Sequence, residues 1–266
     1  MTTRRSFFKN ALVLAGAATG LASGAPDAFA DALGDIVKAG TIRIAVPQDF
    51  PPFGSVGSDM QPQGYDIDMA GLIAAKLGVK LDLVPVTSEN RIPFLQTHKV
   101  DIVISSLGKT PARAKVIAFS DPYAPFVSGV FGPPDVAVAT PADLAGKSIA
   151  VTRGALEDIE LAKIAPPGAI INRYGDNQST IAAFLSGQTQ LIATASAVAA
   201  AILARHPPRL PGLKLTLKNS PCFIGLSQGE PALTAKLNAI IAAARADGTL
   251  DGFCQKWLGT PLPATF

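Results

Sequence analysis

The feature that most constrains this chain is an alternation of short β-branched apolar runs with longer amphipathic ones. Residues 42–46, 79–86 and 101–105 read as strands. Between them, residues 65–77 place Ile67, Ala70, Ile73, Ala74 and Leu77 on one helical face, and residues 91–98 form a short helix. Gly78 stands where a helix C-terminus requires a left-handed residue. Strand, helix, strand, helix, strand, with right-handed crossovers, predicts parallel strands in an α/β layer. Residues 47–53 read as a proline-rich loop. An extended run at 126–131 precedes Pro133-Pro134, where the pattern breaks and then restarts. The second unit has strands near 148–152, 170–174 and 190–194 and helices near 156–164, 177–185 and 196–206. After Pro207, Pro208 and Pro211, residues 222–226 read as a strand and 231–247 as a long helix ended by Gly248. Open α/β sheets bind ligands outside the carboxyl ends of their strands, so two such units predict a cleft fed by the loops after Val46 and Ile104.

The first thirty residues are of another kind. Arg4-Arg5-Ser6-Phe7-Phe8-Lys9 leads into an apolar run at 11–22 and then Ala28-Phe29-Ala30. The pattern resembles a twin-arginine export signal cleaved after Ala30, giving a soluble mature chain from Asp31 and a periplasmic location. About a dozen apolar residues are too few to cross a bilayer core of roughly 30 Å. The whole chain carries 23 Lys and Arg against 20 Asp and Glu. Residues 1–30 hold three bases (Arg4, Arg5, Lys9) and one acid (Asp27), so their removal leaves 20 against 19. That near-neutral balance, with no basic run interleaved with aromatics, argues against nucleic acid.

Cys222 and Cys254 are an even pair in a chain bound for an oxidising compartment, so they are either one disulfide or two buried thiols. With only His98 and His206 besides, the sequence holds no metal-ligand cluster. The loop at Gly154 lacks the further glycines of a dinucleotide or phosphate signature, and no cofactor is expected.

An ordered set of short motifs spans nearly the whole mature chain. It comprises Asp49-Phe50-Pro51-Pro52-Phe53, Gly64-Tyr65-Asp66-Ile67-Asp68, Asn90-Arg91-Ile92-Pro93, Val100-Asp101-Ile102, Arg113, Phe119-Ser120-Asp121-Pro122-Tyr123, Asp247-Gly248-Thr249-Leu250 and Lys256-Trp257-Leu258-Gly259. In these the chain resembles the periplasmic amino-acid-binding proteins of ABC importers, solute-binding family 3. The resemblance implies a type II periplasmic binding fold of two α/β lobes joined by a two-strand hinge. One lobe would comprise residues 31–126 and 220–266 and the other 127–219. It further implies a monomer that closes over an amino acid or related small carboxylate and presents it to an inner-membrane permease. That is a binding cycle and not catalysis.

Site residues follow from the same resemblance. Arg113 matches the arginine that pairs with the ligand α-carboxylate, a planar fork suited to two parallel hydrogen bonds. Ser106, with backbone groups of Ser106 and Gly108, would complete that contact. Phe50 matches the aromatic that covers the ligand stem. Ser88 and Arg91 are candidates for a second anionic contact, although the same motif also serves as a helix start. Arg153 either adds a second-lobe contact or faces solvent. Asn177, opening a helix, reads as an N-cap before a ligand contact. The chain departs from the pattern at Ala195, where the family places an aspartate against the ligand ammonium, and at Ala155 and Leu156, where a threonine is usual. A buried ammonium without a partner costs several kcal/mol, roughly, so either the ligand lacks it or another acid replaces the aspartate. Glu157 and Asp158 are the nearest acids. Two other functions stay open: a dehydratase-like enzyme acting on a cyclic carboxylic acid, with Glu157 as its acid or base, and an exported ligand-sensing module.

Overall fold

The computed structural model describes residues 31–265; the export-signal reading and its cleavage after Ala30 lie outside the described residues. Helix α1 (Ala32–Ala39) leads into β1 (Thr41–Val46). Three short strands follow, β2 (Asp49–Phe50), β3 (Gly54–Val56) and β4 (Pro62–Gln63), and then α2 (Tyr65–Leu77), β5 (Lys80–Pro85), α3 (Arg91–Gln96) and β6 (Ile102–Gly108). Next come α4 (Pro111–Ala114), β7 (Ala118–Ala124) and β8 (Val127–Gly132). A 3-10 turn at Pro141–Leu144 precedes β9 (Ser148–Thr152), α5 (Leu156–Ile164), β10 (Ile170–Tyr174), α6 (Asn177–Leu185), β11 (Leu191–Ala195) and α7 (Ser196–Leu203). The chain ends with β12 (Gly212–Asn219), β13 (Cys222–Leu226), α8 (Pro231–Ala246) and α9 (Thr249–Leu258).

These elements build a two-lobed mixed α/β periplasmic binding protein fold. One five-stranded sheet runs β5-β1-β6-β13-β7 and the other β10-β9-β11-β8-β12. In each, three strands are parallel, as the crossover rule predicts: β1 between β5 and β6, and β9 between β10 and β11. The remaining strands are antiparallel, with β13 between β6 and β7 and β8 between β11 and β12. The chain passes between the sheets twice, once between β7 and β8 and once between β12 and β13. The two passages are tied together by Ser220 N–H donating to the Phe126 carbonyl at 2.9 Å.

Apolar side chains from both faces of the first sheet are fully buried: Ile42, Ile44, Ile102 and Ile104 on the face that α2 covers with Met69 and Ile73, and Ala45, Val103 and Leu107 on the other. Each of these larger than alanine contributes about 1.5–3 kcal/mol relative to exposure. Gly78 sits at φ +70 and closes α2 as expected. Cys222 and Cys254 are separate buried thiols; Cys254 Sγ lies 3.7 Å from Tyr65 Oη.

Several elements differ from the sequence expectation. Residues 47–53 include a strand, because Asp49 and Phe50 pair with Ser55 and Gly54 in a small sheet of their own. Strand β12 has no sequence counterpart: it lies on the sheet's edge with five of its eight residues exposed and none buried, so the burial that gives strands their apolar signature is missing. Helix α9 folds back on α2, where Asp68 accepts from Lys256 Nζ and Trp257 Nε1, both at 2.7 Å. Trp257→Phe removes one charge-assisted hydrogen bond from this partly exposed cluster and is expected to cost about 1–2 kcal/mol in urea unfolding.

Candidate functional site

The two lobes face each other across the carboxyl ends of their parallel strands. From the first lobe come the loop after β1, the start of α3 and the end of β6; from the second, the starts of α5 and α6. Between them lies a cavity of about 20 Å³ whose walls include Phe50, Ser88, Arg91, Ser106, Glu157 and Asn177. That is room for about one water molecule.

Beneath the cavity is a fully buried carboxylate. Asp66, in the first turn of α2, accepts the Ser106 N–H at 2.7 Å, the Ser106 hydroxyl at 2.8 Å and the Tyr123 hydroxyl at 2.6 Å. Ser106 has φ +45, a left-handed conformation rare outside glycine, and its two bonds to Asp66 hold it there. Burial pushes the Asp66 carboxyl up to about 6 despite the Tyr123 and Ser106 hydrogen bonds and the nearby Arg91 charge.

Two guanidinium groups stand beside it. Arg91 is 4% exposed, and its Nη1 donates to the Ser105 carbonyl. Burial lowers its pKa, outweighing the attraction of Glu157. Arg113 donates from Nη1 to the Gly108 carbonyl at 2.7 Å and from Nη2 to the Gly154 carbonyl at 2.9 Å, so one side chain joins the lobes. Its pKa falls to about 9 through burial and repulsion by Arg91. Facing both from α5 is Glu157, 3% exposed. Burial raises its carboxyl to about 6 against the pull of its own backbone N–H and the two arginines. Arg91 Nε and Glu157 Oε1 are buried without a hydrogen-bond partner among the described residues. A donor and an acceptor are thus left unsatisfied in the walls of one cavity, which a group offering both an acceptor and a donor would satisfy.

The structure brings Phe50, Ser88, Arg91, Ser106 and Glu157 together and leaves Gly108, Arg113 and Arg153 outside the cavity wall. The Ser106 hydroxyl and amide, expected to meet a ligand carboxylate, are engaged by Asp66 instead. The Arg113 guanidinium serves backbone carbonyls, and Arg153 is exposed. At the Asn90-Arg91 motif, Asn90 Oδ1 accepts the Thr87 N–H at 2.8 Å in the turn before α3, and Arg91 lines the cavity. Of the two acids near Gly154, Asp158 is engaged by the Gly154 N–H at 3.2 Å and Arg173 Nε at 2.7 Å, which leaves Glu157. Ala195, at the end of β11, is buried among apolar groups.

Asn177 is not the cap of α6. That role belongs to Asp176, whose side chain accepts the Ser179 N–H at 2.6 Å, and Asn177 lines the cavity. Sequence reasoning also missed Asp49, which contacts Asn177 from the other lobe although it sits in a recognised motif. Leu156 was noted only as a missing threonine. It fills the space above Gly108 so closely that a Cβ there would lie 2.8 Å from Leu156 Cδ2. Gly154, at φ +73, passes within 3.2 Å of Glu89 Cα by the same measure, so the lobes meet backbone to backbone.

Comparison with known proteins agrees with this architecture. The profile of the bacterial extracellular solute-binding proteins, family 3, matches residues 42–260. ABC transporter arginine-binding protein 1 of Escherichia coli (strain K12) is 28% identical over 222 residues, covering 81% of this chain and 90% of the relative. Among solved structures, a mutant of ArgBP from T. maritima superposes with a TM-score of 0.80 at 30% identity, covering 86% of this chain and 100% of the other. An ancestral amino acid-binding protein described as a precursor of cyclohexadienyl dehydratase gives 0.77 at 31% identity, covering 85% and 99%.

Proposed function

This chain belongs to the bacterial extracellular solute-binding proteins, family 3, and from that premise we propose that it captures an amino acid between its lobes and delivers it to an ABC permease. The observation that carries the reading is the pair of orphaned buried groups, Arg91 Nε and Glu157 Oε1, around one interlobe cavity. Arg91 meets the ligand carboxylate, with Arg113 behind it. Glu157 meets the ammonium, in place of the acid missing at Ala195. Phe50 and Ser88 cover the remainder. The lobes are residues 31–126 with 220–266, and 127–219; residues 1–30 direct export through the twin-arginine route to the periplasm, where the protein acts as a monomer.

Thermal unfolding in the presence of L-arginine, L-glutamine and L-cystine, each beside its deaminated carboxylate, tests this. At about 1,000 times its dissociation constant a ligand stabilises the fold by roughly 4 kcal/mol, several degrees in melting temperature. A shift with an amino acid that its deaminated analogue does not give, and that Glu157→Gln abolishes, is expected. Shifts by the deaminated acids alone would remove the ammonium from the proposal and leave a carboxylate receptor.

The buried Glu157, with its carboxyl near 6, also supports a second reading as a general acid on a cyclic carboxylic acid. Turnover of such an acid, lost in Glu157→Gln, would establish it.

A further inference from the structure

We propose that Asp49 is a closure latch: its carboxylate, carried by the first lobe, grips the first turn of α6 in the second and sets how readily the cleft opens. One oxygen, Oδ2, accepts the Asn177 N–H at 2.7 Å and the Gln178 N–H at 3.4 Å. The other, Oδ1, accepts Asn177 Nδ2 at 3.0 Å. The first amides of a helix have no partner within it, and Asp176 already serves Ser179. Asp49 therefore supplies from the opposite lobe the acceptor that α6 lacks for Asn177 and Gln178, and its negative charge suits the positive end of the helix. The grip is aimed from behind. Thr152 Oγ1 donates to Asn177 Oδ1 at 2.8 Å and lies 2.8 Å from Thr180 Oγ1, which turns the Asn177 amide so that Nδ2 faces Asp49.

These bonds join residues of the two lobes; Asp49 is not among the residues that wall the cavity, whereas Asn177 is. Arg113, donating to the Gly108 and Gly154 carbonyls, is a second tie between the lobes. The free energy of closure is then supplied in part by the protein itself. Asp49 is a positioning residue in this scheme and not a ligand contact.

The test compares the purified protein with Asp49→Ala and Asp49→Asn by hydrogen exchange and solution X-ray scattering, with thermal unfolding as the control for folding. In Asp49→Ala the Asn177 and Gln178 amides should exchange at least ~10-fold faster, the worth of a charge-assisted hydrogen bond. The Ser179 amide, capped within α6, should be unchanged, and the radius of gyration should rise. Asp49→Asn keeps an acceptor without the charge and should fall between. Unchanged exchange at Asn177 and Gln178, or an unchanged radius of gyration, would overturn the latch. Faster exchange throughout α6, Ser179 included, would also overturn it by making Asp49 a support of the helix alone.

Discussion

Arg91→Ala is expected to lower the melting temperature by roughly 10 °C and to weaken binding of the amino acid identified by thermal shift at least ~100-fold. Four charged side chains are buried around and beneath the cavity, Asp66 and Glu157 against Arg91 and Arg113. Their charges cancel, and among the described residues neither acid has a direct ion pair to an arginine, so the balance rests on the field of the whole group. Removing Arg91 leaves two carboxylates with one guanidinium and frees the Ser105 carbonyl that Arg91 serves. Deleting one partner from a buried charge group costs about 3–5 kcal/mol, and for a chain of this size each kcal/mol is worth about 2–4 °C. The binding loss has a separate cause, since truncating one side of a buried charge contact costs about 2–5 kcal/mol. Adding Glu157→Gln to Arg91→Ala should restore part of the stability, because the double variant is again balanced, and none of the binding. An Arg91→Ala protein that melts with the parent would show that the four charges are not coupled.

The fold was legible because its central parallel strands, β1, β6, β9 and β11, are largely buried and its helices bury one face, and burial is what writes periodicity into a sequence. The central strand β6 is buried at all seven positions, and its first four residues, 102–105, read as strand in the sequence; the edge strand β12, mostly exposed, did not. The site was legible one residue at a time. Arg91 stands in the Asn90-Arg91-Ile92-Pro93 motif, and Glu157 is one of the acids that could replace the aspartate missing at Ala195, so each is legible alone. Their relation was not, because it depends on two lobes meeting across a gap of sixty-six positions. Asp49 and Asn177 are 128 positions apart, and each has a sufficient local explanation, one in a loop and the other at a helix start. Ser106 and Arg113 went the other way. Their types suit a ligand carboxylate, yet their hydrogen bonds go to Asp66 and to two backbone carbonyls, which no spacing in the sequence announces.

The same buried acids fix how stability responds to pH. Asp66 and Glu157 have carboxyls raised to about 6 from ordinary values of 3.8 and 4.5. A raised carboxyl means that the folded state holds its proton more tightly than the unfolded state does. Between about pH 4 and pH 6 the folded protein then carries more protons, and unfolding free energy falls as pH rises. The contribution is complete below the unfolded values and lost once pH passes about 6. At 1.36 kcal/mol per unit it amounts to about 3 kcal/mol for Asp66 and about 2 for Glu157. Asp143 and Asp247, whose carboxyls are held low by hydrogen bonds to neighbouring backbone and threonine groups, pull the other way but lie at the surface, where such effects are small. Urea unfolding at pH 5 and at pH 7.5 should therefore show the higher stability at pH 5, opposite to a protein held by surface ion pairs. Glu157→Gln cannot titrate and should lose its share of the slope while the Asp66 share persists. A stability that climbs from pH 5 to pH 7.5 in the parent would mean that the hydrogen bonds of Tyr123 and Ser106 outweigh the burial of Asp66, and that this carboxylate is charged throughout.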